Sequence, residues 1–560
     1  MLQPSDKRKG AWIVVLLIIN AFLDFFSLAA FFPLIFSVIN PEFIKSNTYA
    51  YRLYQLLNIN STTSFIMVLT IFVLIFILIK NIASIWIVRA KARYAFDIRN
   101  NLSSQALLNY FNTSFPDFVK TDYARQLNII ANFPLAFANN LILSSITIFS
   151  EAVVCLLILI CMAYYDYKIL LLILLIVLPA FILFSLQKKK LKAISKEIKE
   201  VYPLTLKYAN QSVEGFPEIK TYGKESYFYK RFQKISNRLS ETFVKDQVLE
   251  TGTARLTEIV AAFTLCLLVV YAVTNQQQYQ QTIALLSIYA GASFRIIPSV
   301  NRILHALQQI RTHEYLFEAL RHEGTMVPKE SSPDKVGFNK SITLKNIVFS
   351  YPNNPKILNQ IELTIKKGEK IAITGKSGEG KTTFLLMLLG LLPPSEGEIF
   401  IDDSLIQNIG SWQTIFGYVP QKPYILDGTM AENIAFGIPF ENIDHHKIDK
   451  LVRELELENL AQQLSNSPSK EIGERGAKIS GGQQQRLALA RALYADKEIL
   501  ILDEITNQLH ASLELEIMDL LNKLSGEKKT IIMVTHKIIQ SNFFDAIYKL
   551  EKGTLHKISN

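Results

Sequence analysis

A chain of 560 residues is too long for one domain, and 49% of it is hydrophobic while only 19% is charged, which argues against a soluble protein. The formal net charge of +10 calls for no nucleic acid; basic cytoplasmic segments facing anionic lipid headgroups account for it. Cys155, Cys161 and Cys266 all fall inside apolar runs, so they read as small apolar fillers and exclude both a disulfide framework and zinc spacing.

The apolar excess lies in the first 300 residues. Ala11 to Ile39 holds one charge, Asp24; Thr63 to Val88 holds one, Lys80; Leu135 to Tyr165 holds one, Glu151; Ile169 to Leu186 holds none. Each is near or above the roughly 20 residues that cross a bilayer. Ile259 to Val273 and Thr282 to Phe294 are shorter, and the uncharged Gln276 to Gln281 reads as a short outside turn between them. The expectation is six membrane helices. The basic start and long first run fit a retained helix better than a cleaved signal peptide.

Orientation follows from the basic residues. Lys7, Arg8 and Lys9 precede the first run; Arg89, Lys91, Arg93 and Arg99 follow the second; Lys188, Lys189, Lys190 and Lys192 follow the fourth. Basic flanks face the cytoplasm, so the N-terminus and two long loops, about 90–133 and 187–257, are expected there. In the sixth run Arg295 and Arg302 stand seven residues apart and share a helix face. A charge inside the apolar layer faces a wet cavity or a partner. Two readings stay open for Arg295: a guanidinium that grips a phosphate-bearing headgroup, or an ion pair with Asp24 or Glu151. Arg302 lies near the cytoplasmic interface, where it can snorkel. Pro328, Ser331, Ser332 and Pro333 mark a linker, giving a membrane domain over 1–318, a linker over 319–340 and a second domain over 341–560.

The second domain carries the chemistry. Gly375-Lys376-Ser377-Gly378-Glu379-Gly380-Lys381-Thr382 follows the apolar run Ile371–Ile373 and precedes a helix-like run from Phe384 to Leu391. A glycine-rich turn between strand and helix wraps a phosphate chain in backbone N–H groups. Lys381 supplies a charge for the β- and γ-phosphates, and the Thr382 hydroxyl can ligate Mg²⁺. Ile499 to Leu502 reads as a buried strand ending in Asp503 and Glu504. Asp503 is placed to hold Mg²⁺, and Glu504 to polarise the attacking water. A second apolar strand, Ile531 to Val534, leads into Thr535 and His536.

Between the loop and these strands stands Ile479-Ser480-Gly481-Gly482-Gln483-Gln484-Gln485-Arg486. With the phosphate loop, this run resembles the signature of ATP-binding-cassette (ABC) proteins, Ile479 replacing the usual Leu. The likeness covers about Ile342 to the C-terminus. It implies an α/β P-loop nucleotide-binding domain with an ABC helical subdomain, behind an all-α six-helix transmembrane domain. It implies that ATP is held by Tyr351, stacked on adenine, and by Gly375, Lys376, Ser377, Gly378, Glu379, Gly380, Lys381, Thr382, Thr383 and Gln421. Mg²⁺ would be held by Thr382, Gln421 and Asp503. Catalysis falls to Glu504 and to His536 at the γ-phosphate. Gly473-Glu474-Arg475-Gly476 resembles the exporter-type loop before the signature. The family usually follows its glutamate with Ala-Thr-Ser-Ala-Leu-Asp; here the run is Ile505-Thr506-Asn507-Gln508-Leu509-His510, so an aspartate that reaches across the dimer is His510.

The order of domains is similar to bacterial ABC exporter half-transporters. In that family Ser480, Gly481, Gly482 and Gln483 complete the ATP site of a partner subunit, which implies a homodimer here, with a heterodimer as the alternative. Stalk helices would carry short docking helices at Ser114–Phe118 and Val213–Lys220. The expected activity is ATP-driven flipping of an amphipathic substrate, a lipid-linked oligosaccharide or other lipid, across the bacterial inner membrane. Multidrug or peptide export and an ATP-gated channel are the alternatives.

Overall fold

The computed structural model describes residues 4–30, 34, 52, 54–55, 61–165, 167–274, 279–321, 337–352, 354–406, 409–465, 471–473, 478–505, 517–523, 529–536 and 543–559. They form two compact units, 1–113 with 120–328, and 114–119 with 329–560.

The first unit is helical. Inside a bilayer every backbone polar group must be satisfied within its own segment, and long runs of Leu, Ile, Phe and Ala do this as helices. Asp6–Ser27, Thr62–Phe111 and Tyr123–Tyr164 are long and apolar enough to cross a membrane. The fourth, fifth and sixth predicted runs fall in the helices Tyr167–Glu214, Glu225–Thr274 and Tyr279–Thr312. The first described helix, Pro4–Ala29, stops short of the predicted Ile39, which lies outside the described residues. Apolar side chains point outward along the second helix, Ile71, Phe72, Ile79, Ile82 and Trp86 among them. The inward side is built from small residues between larger ones: Ala21, Val154, Ile158, Ala180, Phe184, Ala261, Ala292 and Ile296. Alanines let the helix backbones approach closely.

The long segments 90–133 and 187–257 are helical over most of their length, as the expected stalk helices require. Thr62–Phe111 is one helix of 50 residues, about 75 Å long at the usual rise, against about 30 Å of hydrocarbon. The chain breaks only around a six-residue helix, Phe115–Lys120, and resumes at Tyr123. Tyr167–Glu214 likewise gives way to Phe216–Thr221 and then to Glu225–Thr274. Ser114–Val119 is part of the second unit, and Phe115 packs against its core; Phe216–Thr221 belongs to the first unit.

The helix beginning at Tyr123 contains two π turns, Asn128–Asn132 and Ala138–Ile142. Asn128 is buried and donates to the Ala124 carbonyl at 2.9 Å, while Asn132 donates to Asn128 Oδ1 at 2.7 Å. Ser103, on the neighbouring helix, donates to the Ile130 carbonyl at 2.5 Å. The Ser103 hydroxyl thus serves a carbonyl whose i+4 residue, Pro134, has no N–H to offer.

The second unit is α/β. Its strands are β1 Ser341–Phe349, β2 Leu358–Lys366, β3 Lys370–Thr374, β4 Glu396–Ile401, β5 Ser404–Leu405, β6 Phe416–Val419, β7 Ile499–Asp503, β8 Thr530–Val534, β9 Ala546–Glu551 and β10 Thr554–Ser559. One antiparallel sheet runs β2-β1-β4-β5; the other runs β10-β9-β3-β8-β7-β6, parallel except for β10 on β9. The central strands are covered on both faces, so β3, β7 and β8 carry continuous apolar stretches, Ile371–Ile373, Ile499–Leu502 and Ile531–Val534. Their carboxyl ends lie side by side, with Asp503 registered against Val534.

Candidate active site and a charged cluster in the membrane unit

The phosphate loop leaves the carboxyl end of β3 and enters the helix Lys381–Leu388. This helix starts three residues before the run read from sequence, because Gly380 is its N-cap in a left-handed conformation, φ 97°. A Cβ there would lie 2.8 Å from Ile357 Cγ2 and 3.3 Å from the Ile357 carbonyl. Conformation and space both demand glycine. At the other end Gly390, φ 65°, stops the helix, and the Leu391 N–H closes onto the Leu386 carbonyl.

Within the loop, Glu379 Oε2 accepts from the Lys376 N–H at 2.7 Å. Lys381 is buried, and its Nζ donates to the carbonyls of Gly375, at 2.7 Å, and Lys376, at 2.9 Å. Burial holds its pKa below the ordinary lysine value, opposed by the charges of Glu504, Glu379 and Asp503. Ser377, Gly378 and Thr382 are exposed, while Thr383 is buried at the helix start. Tyr351 follows β1 and packs edge-on to Phe349, centroids 5.0 Å apart.

Asp503 ends β7 and Glu504 follows it. Asp503 is 8% exposed. Burial, then the charge of Glu504, pushes its carboxyl up to about 6, while Lys381, a hydrogen bond from Tyr418 and His536 pull the other way. A cation beside Asp503 would relieve that cost. Magnesium takes oxygen ligands, and Asp503, the exposed Thr382 hydroxyl and the Gln421 amide oxygen fit that donor set. Tyr418, which the sequence does not single out, stands on β6 beside β7, and burial, then the charge of Asp503, raises its pKa.

Glu504 has a left-handed backbone, φ 51°, unusual for a residue with a side chain. Its N–H is held by the Val534 carbonyl at 2.9 Å. The carboxylate is gripped from two sides: Gln421 Nε2 donates to Oε2 at 2.7 Å, and His536 Nε2 lies 2.6 Å from Oε1. Residues from three strand ends therefore meet at one carboxylate.

The signature turn stands elsewhere. Ser480 caps the helix Gly481–Tyr494 in a reciprocal box with Gln483: its Oγ accepts from the Gln483 N–H at 3.3 Å, and its own N–H donates to Gln483 Oε1 at 2.8 Å. Ser480 and Gly481 are exposed. Among the described residues, Ser480–Gln483 form no hydrogen bond with the phosphate loop, Asp503, Glu504 or His536. Glu474, Arg475, Gly476 and His510 lie outside the described residues.

A second cluster lies in the membrane unit. Asp24 takes Lys80 Nζ at 2.5 Å on one oxygen and Arg295 NH2 at 2.8 Å on the other. Glu151 takes Arg302 Nε at 2.8 Å and the Ser299 hydroxyl at 2.7 Å, and Arg295 is 3.9 Å away. Of the two readings open for Arg295, the paired arrangement is the one observed, and Lys80, whose pairing was not foreseen, shares its carboxylate. The cluster joins four helices with three cationic and two anionic side chains, a formal excess of one positive charge.

Comparison with known proteins agrees with this architecture. The profile of the ABC transporter transmembrane region matches residues 13–294, and that of the ABC transporter family matches 358–507. The chain is 29% identical to an ATP-dependent lipid A-core flippase 1 of Colwellia psychrerythraea, over 71% of this chain and 68% of that one. It is 26% identical to an ATP-dependent lipid A-core flippase of Ralstonia nicotianae, over 73% and 70%. In three dimensions it resembles a bacterial Atm1-family ABC exporter solved with ATP bound, with a TM-score of 0.76 at 19% identity, over 98% of this chain and 94% of that one.

Proposed function

The chain belongs to the ABC transporters that fuse a transmembrane region to an ATPase, a multi-pass membrane protein coupling ATP hydrolysis to transport, and we propose that two copies of it flip a phosphate-bearing lipid outward across a bacterial inner membrane. The observation that carries the lipid reading is the surplus positive charge of the Asp24–Lys80–Glu151–Arg295–Arg302 cluster, set among apolar helices. A guanidinium holds a phosphate by paired N–H···O bonds, and in an apolar layer one uncompensated cation favours an anionic visitor. A lipid-linked oligosaccharide or a lipid A-type glycolipid has such a headgroup, and the curated relatives' names point the same way.

In this proposal Lys381 releases the loop carbonyls and turns to the β- and γ-phosphates. Thr382, Gln421 and Asp503 hold Mg²⁺, which neutralises phosphate charge when bound. Tyr351 stacks on adenine. Glu504 accepts a hydrogen bond from the attacking water and takes its proton. His536 would exchange its contact with Glu504 for one with the γ-phosphate. Ser480, Gly481, Gly482 and Gln483 present a capped helix N-terminus to the ATP of the partner, because within one chain they stand apart from the loop. Phe216 and Tyr222, exposed around the second tip helix, support a second copy as partner.

Nanodisc ATPase assays test the reading. Glu504→Gln should keep ATP binding and lose turnover by roughly 10²–10⁴-fold, the usual contribution of a positioned base. Arg295→Gln should keep basal hydrolysis and lose stimulation by a phosphorylated lipid substrate. Near wild-type hydrolysis by the first variant removes the role of Glu504; normal flipping by the second removes the headgroup role of Arg295.

A further inference from the structure

The helix Tyr167–Glu214 changes character along one face. Leu178, Ile182, Lys189, Lys192, Lys196 and Lys199 recur at spacings of three, four and seven and so form one stripe. Its upper part is exposed and apolar, Leu178, Ile182 and the adjacent Leu186. Its lower part is basic. The opposite face of the same helix is the buried one, with Ala180, Phe184, Leu191, Ile194 and Ile198. The change falls where the uncharged run ends and Lys188–Lys190 begin, which places it at the cytoplasmic boundary of the apolar layer.

The basic part lines a cleft of about 990 Å³ whose far wall is Arg311, Glu314, Tyr315, Phe317 and Glu318. That volume is in the range of small-molecule sites. Three of its cations are already matched: Lys199 Nζ lies 2.7 Å from Glu318, Arg311 NH1 lies 3.4 Å from Glu314, and Lys196 Nζ lies 3.9 Å from Glu200. Lys188, Lys189 and Lys192 have no hydrogen bond or ion pair among the described residues. Three unmatched ammonium groups at the foot of an exposed apolar track are the complement of an amphiphile with an anionic head and acyl tails.

We propose that this cleft binds an anionic phospholipid of the cytoplasmic leaflet, the phosphate on Lys188, Lys189 and Lys192 and an acyl chain along Leu178, Ile182 and Leu186. The site is separate from the Asp24–Arg295–Glu151 cluster and holds whatever the transported substrate is.

The test uses the purified full chain in detergent, titrated with phosphatidylglycerol and with phosphatidylcholine, bound lipids being counted by native mass spectrometry. The probe variant is Lys188→Gln/Lys189→Gln/Lys192→Gln, which keeps Lys190 at the helix end. Near an anionic surface each lysine contributes about fivefold in affinity, so the triple change should weaken phosphatidylglycerol about a hundredfold and leave phosphatidylcholine unmoved. The Lys→Arg triple variant should bind as wild type. If the triple glutamine variant fails to fold, Lys189→Gln alone should still show the fivefold step. Undiminished phosphatidylglycerol binding in the glutamine variants overturns the proposal. So does full displacement of the lipid by millimolar inorganic phosphate, which would make the site one for free anions with no role for the apolar track.

Discussion

The unequal count of charges in the membrane unit makes opposite demands on its two kinds of member. Asp24→Asn leaves Lys80 and Arg295 facing a neutral amide at 2.5 and 2.8 Å, with Glu151 already taken by Arg302 and Ser299. Removing one partner of a buried pair costs about 3–5 kcal/mol. Asp24, Lys80 and Arg295 are 13%, 17% and 23% exposed, so the lower end, about 3 kcal/mol, is the expected loss. Arg295→Met removes a charge instead and leaves two cations for two carboxylates: Lys80 still serves Asp24, and Arg302 still serves Glu151. Its cost should stay near 1 kcal/mol, the scale of an ordinary substitution. Thermal unfolding of the detergent-solubilised chain should show a midpoint several degrees lower for Asp24→Asn and close to wild type for Arg295→Met. Asp24→Asn/Lys80→Met should recover most of the loss. Equal destabilisation by Asp24→Asn and Arg295→Met would refute the charge count, and so would failure of the double variant to recover.

Two further outcomes are expected. His510→Asp, restoring the residue usual in the family, should raise the Hill coefficient of ATP hydrolysis or the transport per ATP, because a carboxylate accepts hydrogen bonds where a neutral imidazole offers one donor and one acceptor; unchanged values would mark His510 as a neutral replacement. Asp503 carries a folded-state pKa of about 6 against an ordinary 3.8, so between these values the folded state binds more protons, and stability of the nucleotide-free, Mg²⁺-free chain should fall as pH rises from 4 to 6.5 and then level off. Calorimetric melting across that range should lose the slope in Asp503→Asn; a slope of the opposite sign would contradict the burial of this carboxyl.

The phosphate loop was legible in sequence because its requirements sit in the backbone: Gly380 must be left-handed under Ile357, and only glycine meets both conditions. The start of its helix was misplaced by three residues because a glycine N-cap gives no side-chain signal. The membrane runs were legible from apolar length alone. Hydropathy alone does not show the stalk, because it falls at about residue 90 while helical hydrogen bonding continues to Phe111; the expectation of stalk helices comes from the family resemblance. Long-range pairing was the least accessible part. Lys80 and Asp24 each appear as a lone charge in its own run, and only helix packing brings them to 2.5 Å. Tyr418 was hidden for the same reason, since its bond to Asp503 depends on β6 lying beside β7.

The two wide turns after Tyr123 have a consequence for the genetics of this helix. Each accommodates one residue more than an α-helix would, and one residue corresponds to about 100° of rotation about the axis. The faces above and below each turn are therefore out of phase in sequence while in phase in space. Deleting one residue within Asn128–Asn132, or within Ala138–Ile142, would let that turn tighten and return the flanking segments to the same facing. Deleting one residue inside the regular stretch Leu143–Tyr165 would instead swing everything beyond it by more than a quarter turn. A deletion scan should thus find two tolerant windows in a helix that elsewhere permits none.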